Sequence, residues 1–155
     1  MLKNSTKVLF SLMMFSLLFS GRQALAAEGL VVSKAREMPL VTLVINGRTL
    51  QVEYAATLAR RSLGLMHRQS LCQHCGMLFK FGNPRRVSMW MKNTFIPLDV
   101  AFIRRDGLIT DIRALKPLDL THVSASEKIL FALEMNQGWF QLHDIAVGDT
   151  LKIQP

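Results

Sequence analysis

Seven consecutive residues, Ile129-Leu-Phe-Ala-Leu-Glu-Met135, constrain the fold most. Read as a strand, they place Ile129, Phe131, Leu133 and Met135 on one face and Leu130, Ala132 and Glu134 on the other. A strand apolar on both faces has to be covered on both, which predicts a central position in a sheet with packing on either side. Glu134 is the anomaly: a carboxylate on that strand needs a charged partner or a raised pKa. An ion pair with Lys92 or an arginine is the structural expectation for it.

The remaining pattern is one of short strands. Val41-Thr-Leu-Val-Ile and Thr49-Leu-Gln-Val-Glu-Tyr flank Asn46-Gly47, a two-residue turn in which both positions favour positive φ, so residues 41–54 predict a hairpin. Thr57 is placed to cap a short helix over Leu58, Ala59, Leu63 and Met66, extending to about His67, with Arg60 and Arg61 on its solvated face. Gly76-Met-Leu-Phe-Lys-Phe predicts a strand ending in a Gly82-Asn83-Pro84 turn, followed by a short strand from Val87 to Trp90. Val100–Ile103 and Leu108–Leu115 pair across Arg105-Asp106-Gly107; Pro117 stops the second, and residues 117–127 read as a loop. Trp139–His143 forms one helical turn, and Thr150–Ile153 is a closing strand. The predicted class is α+β, mostly β: a small curled antiparallel or mixed sheet, or barrel, of seven to eight short strands with one or two short helices.

At 155 residues there is room for one domain. Residues 1–26 read as a secretory signal peptide, with Lys3 and Lys7 before an apolar run and Ala24-Leu25-Ala26 as the cleavage pattern. Residues 27–39 read as a tether and 40–155 as a single β-rich domain. Removing the leader takes Lys3, Lys7 and Arg22 from 19 basic residues and none of the 11 acidic ones, leaving a net charge of about +5. The chain is therefore expected to be exported, and periplasmic in a Gram-negative cell. Expected partners are an anionic ligand, a membrane surface or an envelope protein, with no nucleic acid and no transmembrane segment after cleavage. A monomer is expected.

The two cysteines, Cys72 and Cys75, are predicted to form a disulfide in such a compartment. Redox activity is disfavoured because an apolar strand, not a helix, follows the pair. With His74 and His67 they are also the weaker candidates for a zinc or copper site, since Cys-x-x-Cys alone supplies half of a tetrahedral set. No cofactor is expected.

Met89-Trp-Met-Lys-Asn-Thr-Phe-Ile-Pro-Leu-Asp99 is the chemically richest stretch. Its ligand-binding candidates are Trp90, Lys92, Asn93 and Asp99, with Glu134 as the distant residue expected to meet them. Each also has an architectural reading: Trp90 as a core anchor, Asn93 at a left-handed turn position, and Asp99 as an acceptor for backbone N–H groups. Trp90 and Met91 should face opposite ways. The sequence contains no Gly-rich phosphate loop, nucleophile elbow or paired-His metal motif. A non-catalytic binding or accessory module with a basic surface is the leading expectation; the alternatives are an enzyme using Asp99, Glu134, Lys92 and Asn93, or a metal or thiol site at Cys72 and Cys75.

Several phrases together carry a resemblance: Gly64-Leu-Met-His-Arg, Gly76-Met-Leu-Phe, the Met89–Asp99 stretch, Ala101-Phe-Ile, Asp106-Gly, Leu133-Glu-Met-Asn, Gly138-Trp and Val147-Gly-Asp. Over about residues 40–153 the chain resembles the uncharacterised bacterial and archaeal domain family DUF-192. The resemblance implies a compact β-rich domain, often exported, and names no activity. The Cys72-Gln-His-Cys75 segment departs from the acidic or polar residues usual there, so thiol chemistry would belong to this branch.

Overall fold

The computed structural model describes residues 38–154, so the expected signal peptide (1–26) and most of the expected tether (27–39) lie outside the described residues. Met38, at the tether's end, packs on the core, and Pro39 accepts a hydrogen bond from the Tyr54 amide.

The hairpin forms as predicted. Strand β1 (Leu40–Ile45) pairs antiparallel with β2 (Arg48–Ala55), closing on Ile45 and Arg48, with Asn46 and Gly47 at φ of 50° and 75°. Helix α1 (Leu58–Leu63) follows, capped by the Thr57 hydroxyl, which accepts from the Arg60 amide at 3.3 Å. It stops short of His67 because Gly64, at φ 50°, leaves the helical region. The crossover from Ala56 to Cys75 lets β3 (Gly76–Arg85) lie parallel to β2, a pairing that no tight turn could make. The Gly82-Asn83-Pro84 segment, expected as a turn, instead continues β3. The register shifts between Lys80 and Arg85, so the missing Pro84 N–H costs no ladder bond.

Strands β5 (Leu98–Ile103) and β6 (Ile109–Leu115) form the second hairpin, and β8 (Ile129–Asn136) lies between β5 and β3. With β9 (Leu151–Gln154), the order is β6-β5-β8-β3-β2-β1-β9. The doubly apolar strand is thus central, and Ile129 to Met135 are all buried. The sheet curls until its edges touch at one end: Leu108 bridges Thr150, and the Leu151 amide donates to the Gly107 carbonyl at 2.8 Å. A Cβ on Gly107 would sit 2.2 Å from the Leu151 carbonyl oxygen, so glycine is required at this closure.

Two clusters pack on the two faces. Leu133 and Met135 join Leu43, Ile45, Leu78 and Ala101, covered by Trp139 and Phe140 of α2 (Trp139–Leu142). Ala132 joins Met77, Phe79, Val100 and Phe102, covered by Leu65, Val87, Met91 and Ile96. The predicted alternation along β8 breaks at its start, where Ile129 packs with Ala132 and Leu130 with Leu133, opposite the bulge in β3. Over the second face lies a small sheet, β4 (Ser88–Met89) with β7 (Val123–Ser124), within the segments expected as a strand from Val87 to Trp90 and as a loop.

Candidate functional site

Glu134 lies on the second face, opposite Met77 of β3 and Val100 of β5. It is 4 % exposed, and no hydrogen bond or ion pair to its carboxyl group is found among the described residues. The expected ion pair with Lys92 or an arginine is absent. Burial alone pushes the Glu134 carboxyl up to about 8, so at neutral pH it is a neutral acid. Asp111, the other buried carboxylate, shows the usual solution: it accepts from the Ser126 amide and hydroxyl, Thr110 and Arg113.

Glu134 lines a cleft of about 290 Å³ between the sheet, α1 and the loop after β4. Phe79, Phe81 and Met89 give it apolar walls, and Arg61 and Arg85 give it positive charge. The two guanidinium groups lie 5.7 and 5.5 Å from the centre of the Phe81 ring. Arg61 is held by donating to the backbone carbonyls of Ala56, at 2.6 Å, and Lys80, at 2.9 Å. Neither arginine has a carboxylate partner among the described residues. The cleft therefore combines two cations, one neutral acid able to donate a hydrogen bond, and apolar walls.

The predicted candidates divide. Trp90 lines the same cleft. It is no core anchor: it is 43 % exposed and stacks on His122 with ring centres 5.5 Å apart, whereas Met91 is the residue buried beneath. The opposite facing of the two is as predicted. Lys92 is exposed, with its ammonium 5.5 Å from the Trp90 ring centre. Asn93 takes the left-handed turn position, at φ 54°, and its carbonyl accepts from the His67 amide. Asp99 is paired with Met135, one residue along from Glu134, so its side chain emerges on the opposite face. There it accepts from the Gly138 amide at 2.7 Å. The structure thus joins Trp90 to Glu134 and leaves Lys92, Asn93 and Asp99 outside the cleft.

Cys72 and Cys75 form the expected disulfide, with the Cα atoms 5.1 Å apart. The Asn136 side chain holds this turn by donating to the Cys72 carbonyl at 2.8 Å. Cys72 and His74 line a second pocket with Arg48, Trp139 and His143, and His67 is absent from it. His74 Nδ1 accepts from the Trp139 indole at 3.3 Å. Among the described residues no cluster of three or more His, Cys, Asp or Glu is arranged to hold a metal.

Arg61, Arg85 and Phe81 were the cleft residues missed by sequence reasoning. Phe79 and Phe81 alternate on β3, but only the β3–β8 register, pairing Met77 with Glu134, puts their face and the acid together.

The fold and cleft define a β-rich half-barrel domain with one acidic floor residue and a cationic wall. Residues 41–153 match the family DUF192, described as Uncharacterized ACR, and the chain belongs to that family. No curated protein matches. Among solved structures, the chain is similar to a protein of Sinorhizobium meliloti 1021 provisionally described as a transcription regulator, at 36 % identity and a TM-score of 0.72, over 76 % of this chain and 95 % of that one. It is also similar to a protein of unknown function from Novosphingobium aromaticivorans DSM 12444, at 32 % identity and a TM-score of 0.67, over 74 % and 84 % of the two chains.

Proposed function

We propose that this protein is an exported, non-catalytic binding module that takes a small amphiphilic anion in the Arg61–Arg85–Glu134 cleft. The observation that carries the reading is Glu134, a buried acid that has no partner among the described residues and faces a cleft whose other charges, among those residues, are two arginines without carboxylate partners. A buried acid without partners weakens the fold at neutral pH, and such a cost is characteristic of a binding site. The arginines supply attraction for an anionic head, Phe79, Phe81 and Met89 supply walls for an apolar body, and the neutral Glu134 donates a hydrogen bond to a ligand oxygen.

Supporting the binding reading over an enzyme, Asp99 and Glu134 face opposite sides of the sheet and have no common position for a reacting group. Nucleic acid is not the proposed ligand. The described helices, of six and four residues, offer no recognition helix, and the transcription-regulator description concerns the Sinorhizobium protein alone. No helix among the described residues is long and apolar enough to cross a membrane. Export rests on the leader in residues 1–26.

Thermal-shift measurement with decanoate tests this function. The wild type at pH 6 should gain melting temperature with ligand concentration, and Arg85→Glu should lose the gain. No gain in the wild type, or an equal gain in R85E, would overturn the reading.

A further inference from the structure

Four of the nine exposed large apolar side chains of the described residues sit on two neighbouring loops. Trp90 and Phe95 lie on the loop from β4 to β5, and Leu118 and Leu120 on the loop after β6. The loops are tied together: the Met91 amide donates to the Asp119 carbonyl at 2.9 Å, and the Leu118 amide to the Thr94 carbonyl at 3.0 Å. They therefore present one surface. Exposures of 43 % for Trp90 and Phe95, 54 % for Leu118 and 60 % for Leu120 place these side chains in water, at a cost that isolated surface residues scattered around a domain do not raise as a group.

Leu118 adds a second, independent observation. It has a φ of 62°, a left-handed conformation that costs a bulky residue energy and that glycine or asparagine would adopt freely. A strained leucine pointing into solvent contributes nothing to the core. The surroundings are cationic. Lys92 and Lys116 flank the apolar group, His122 stacks on Trp90, and the sole carboxylate of the two loops, Asp119, already accepts from the Thr121 amide at 2.8 Å.

We infer that these two loops form a docking surface for an anionic lipid bilayer, with Trp90, Phe95, Leu118 and Leu120 entering the headgroup region and Lys92 and Lys116 meeting lipid phosphates. Charge complementarity selects this occupant. Aromatic and leucine side chains bracketed by lysines match an interface that is apolar below and negative above. The inference stands on the loops and not on ligand binding by the cleft, although Trp90 borders both.

The test uses residues 27–155, which contain the compact unit Met38–Pro155 but not the apolar leader. Flotation is measured with phosphatidylcholine vesicles, with and without phosphatidylglycerol, together with tryptophan emission. Trp90 is the exposed one of two tryptophans and Trp139 is 5 % exposed, so emission reports on the loop. The wild type should float with the anionic vesicles and shift its emission to the blue. Leu118→Ser with Leu120→Ser should weaken binding at least about tenfold, as should Lys92→Glu with Lys116→Glu. Circular dichroism melts of both variants should match the wild type, since all four positions are exposed. Failure of the wild type to float, undiminished binding by both folded variants, or concentration-dependent self-association lost in L118S/L120S would each overturn the inference. Leu118 and Leu120 do not line the cleft, so decanoate binding should be unchanged in the leucine pair and loss of docking is separable from loss of cleft binding.

Discussion

Replacing Glu134 by Gln should make the protein more stable, and by an amount that depends on pH. The unfolded carboxyl titrates near 4.5 and the folded one near 8. Because the folded pKa is raised, the contribution is fully present below pH 4.5 and is lost as pH rises through 8. At about 1.4 kcal/mol per unit, holding the acid neutral at pH 7 costs the fold about 3 kcal/mol relative to an unfolded chain free to ionise, rising to about 5 kcal/mol at pH 8 and above. Glutamine keeps the shape and removes the titration. E134Q should therefore track the wild type at pH 4 and melt roughly 10 °C above it at pH 7. The assay is thermal unfolding of both proteins from pH 4 to 9 without ligand, and only the difference between the two curves is read, because other carboxylates titrate in both. Parallel curves across that range would refute the argument that Glu134 is buried as an unpartnered neutral acid.

Asp99→Ala should cost about 2 kcal/mol, because the Gly138 amide loses a charged acceptor, while decanoate affinity stays unchanged; chemical denaturation and calorimetry check the two halves. Gly76→Ala should cost at least about 2 kcal/mol in urea unfolding and weaken ligand binding as well, since a Cβ there would lie 2.5 Å from the Glu134 carbonyl oxygen and displace β8. Cys72→Ser should cost about 2 kcal/mol, the small chain-entropy gain of closing a loop with a separation of three, and reductant should lower the wild-type melting temperature to match.

What the sequence revealed was what local chemistry determines. Asn46-Gly47 specified its hairpin, the doubly apolar 129–135 run specified the central strand, and Cys72 and Cys75 specified a disulfide. The resemblance phrases turn out to be joints of the fold: Arg68 forms a bidentate pair with Glu53, Asn136 holds the disulfide turn, and Asp149 accepts from Asn46 and the Ala146 amide. The cleft was half legible. Glu134 was conspicuous as a carboxylate on an apolar strand, but its partners depend on a β3–β8 register fixed by long-range pairing. Asp99 looked like its companion because both are carboxylates set among apolar residues, and sequence separation says nothing of their distance. The one-residue offset in the β5–β8 register sends them to opposite faces. The core-anchor reading of Trp90 failed because an aromatic beside Met91 fits a core as well as a surface, and only the tertiary packing decides which of the two is buried.

The central claim is that a neutral Glu134 and two arginines with no carboxylate partner among the described residues make the cleft a site for an anion. Calorimetric titration of decanoate into the wild type, E134Q and R85E from pH 6 to 9.5 tests it most directly. The account predicts that wild-type affinity falls at least about tenfold as Glu134 ionises through pH 8, that E134Q binds with no such fall, and that R85E binds weakly throughout. A wild-type affinity that stays level across that range, or R85E binding as tightly as the wild type, would contradict it.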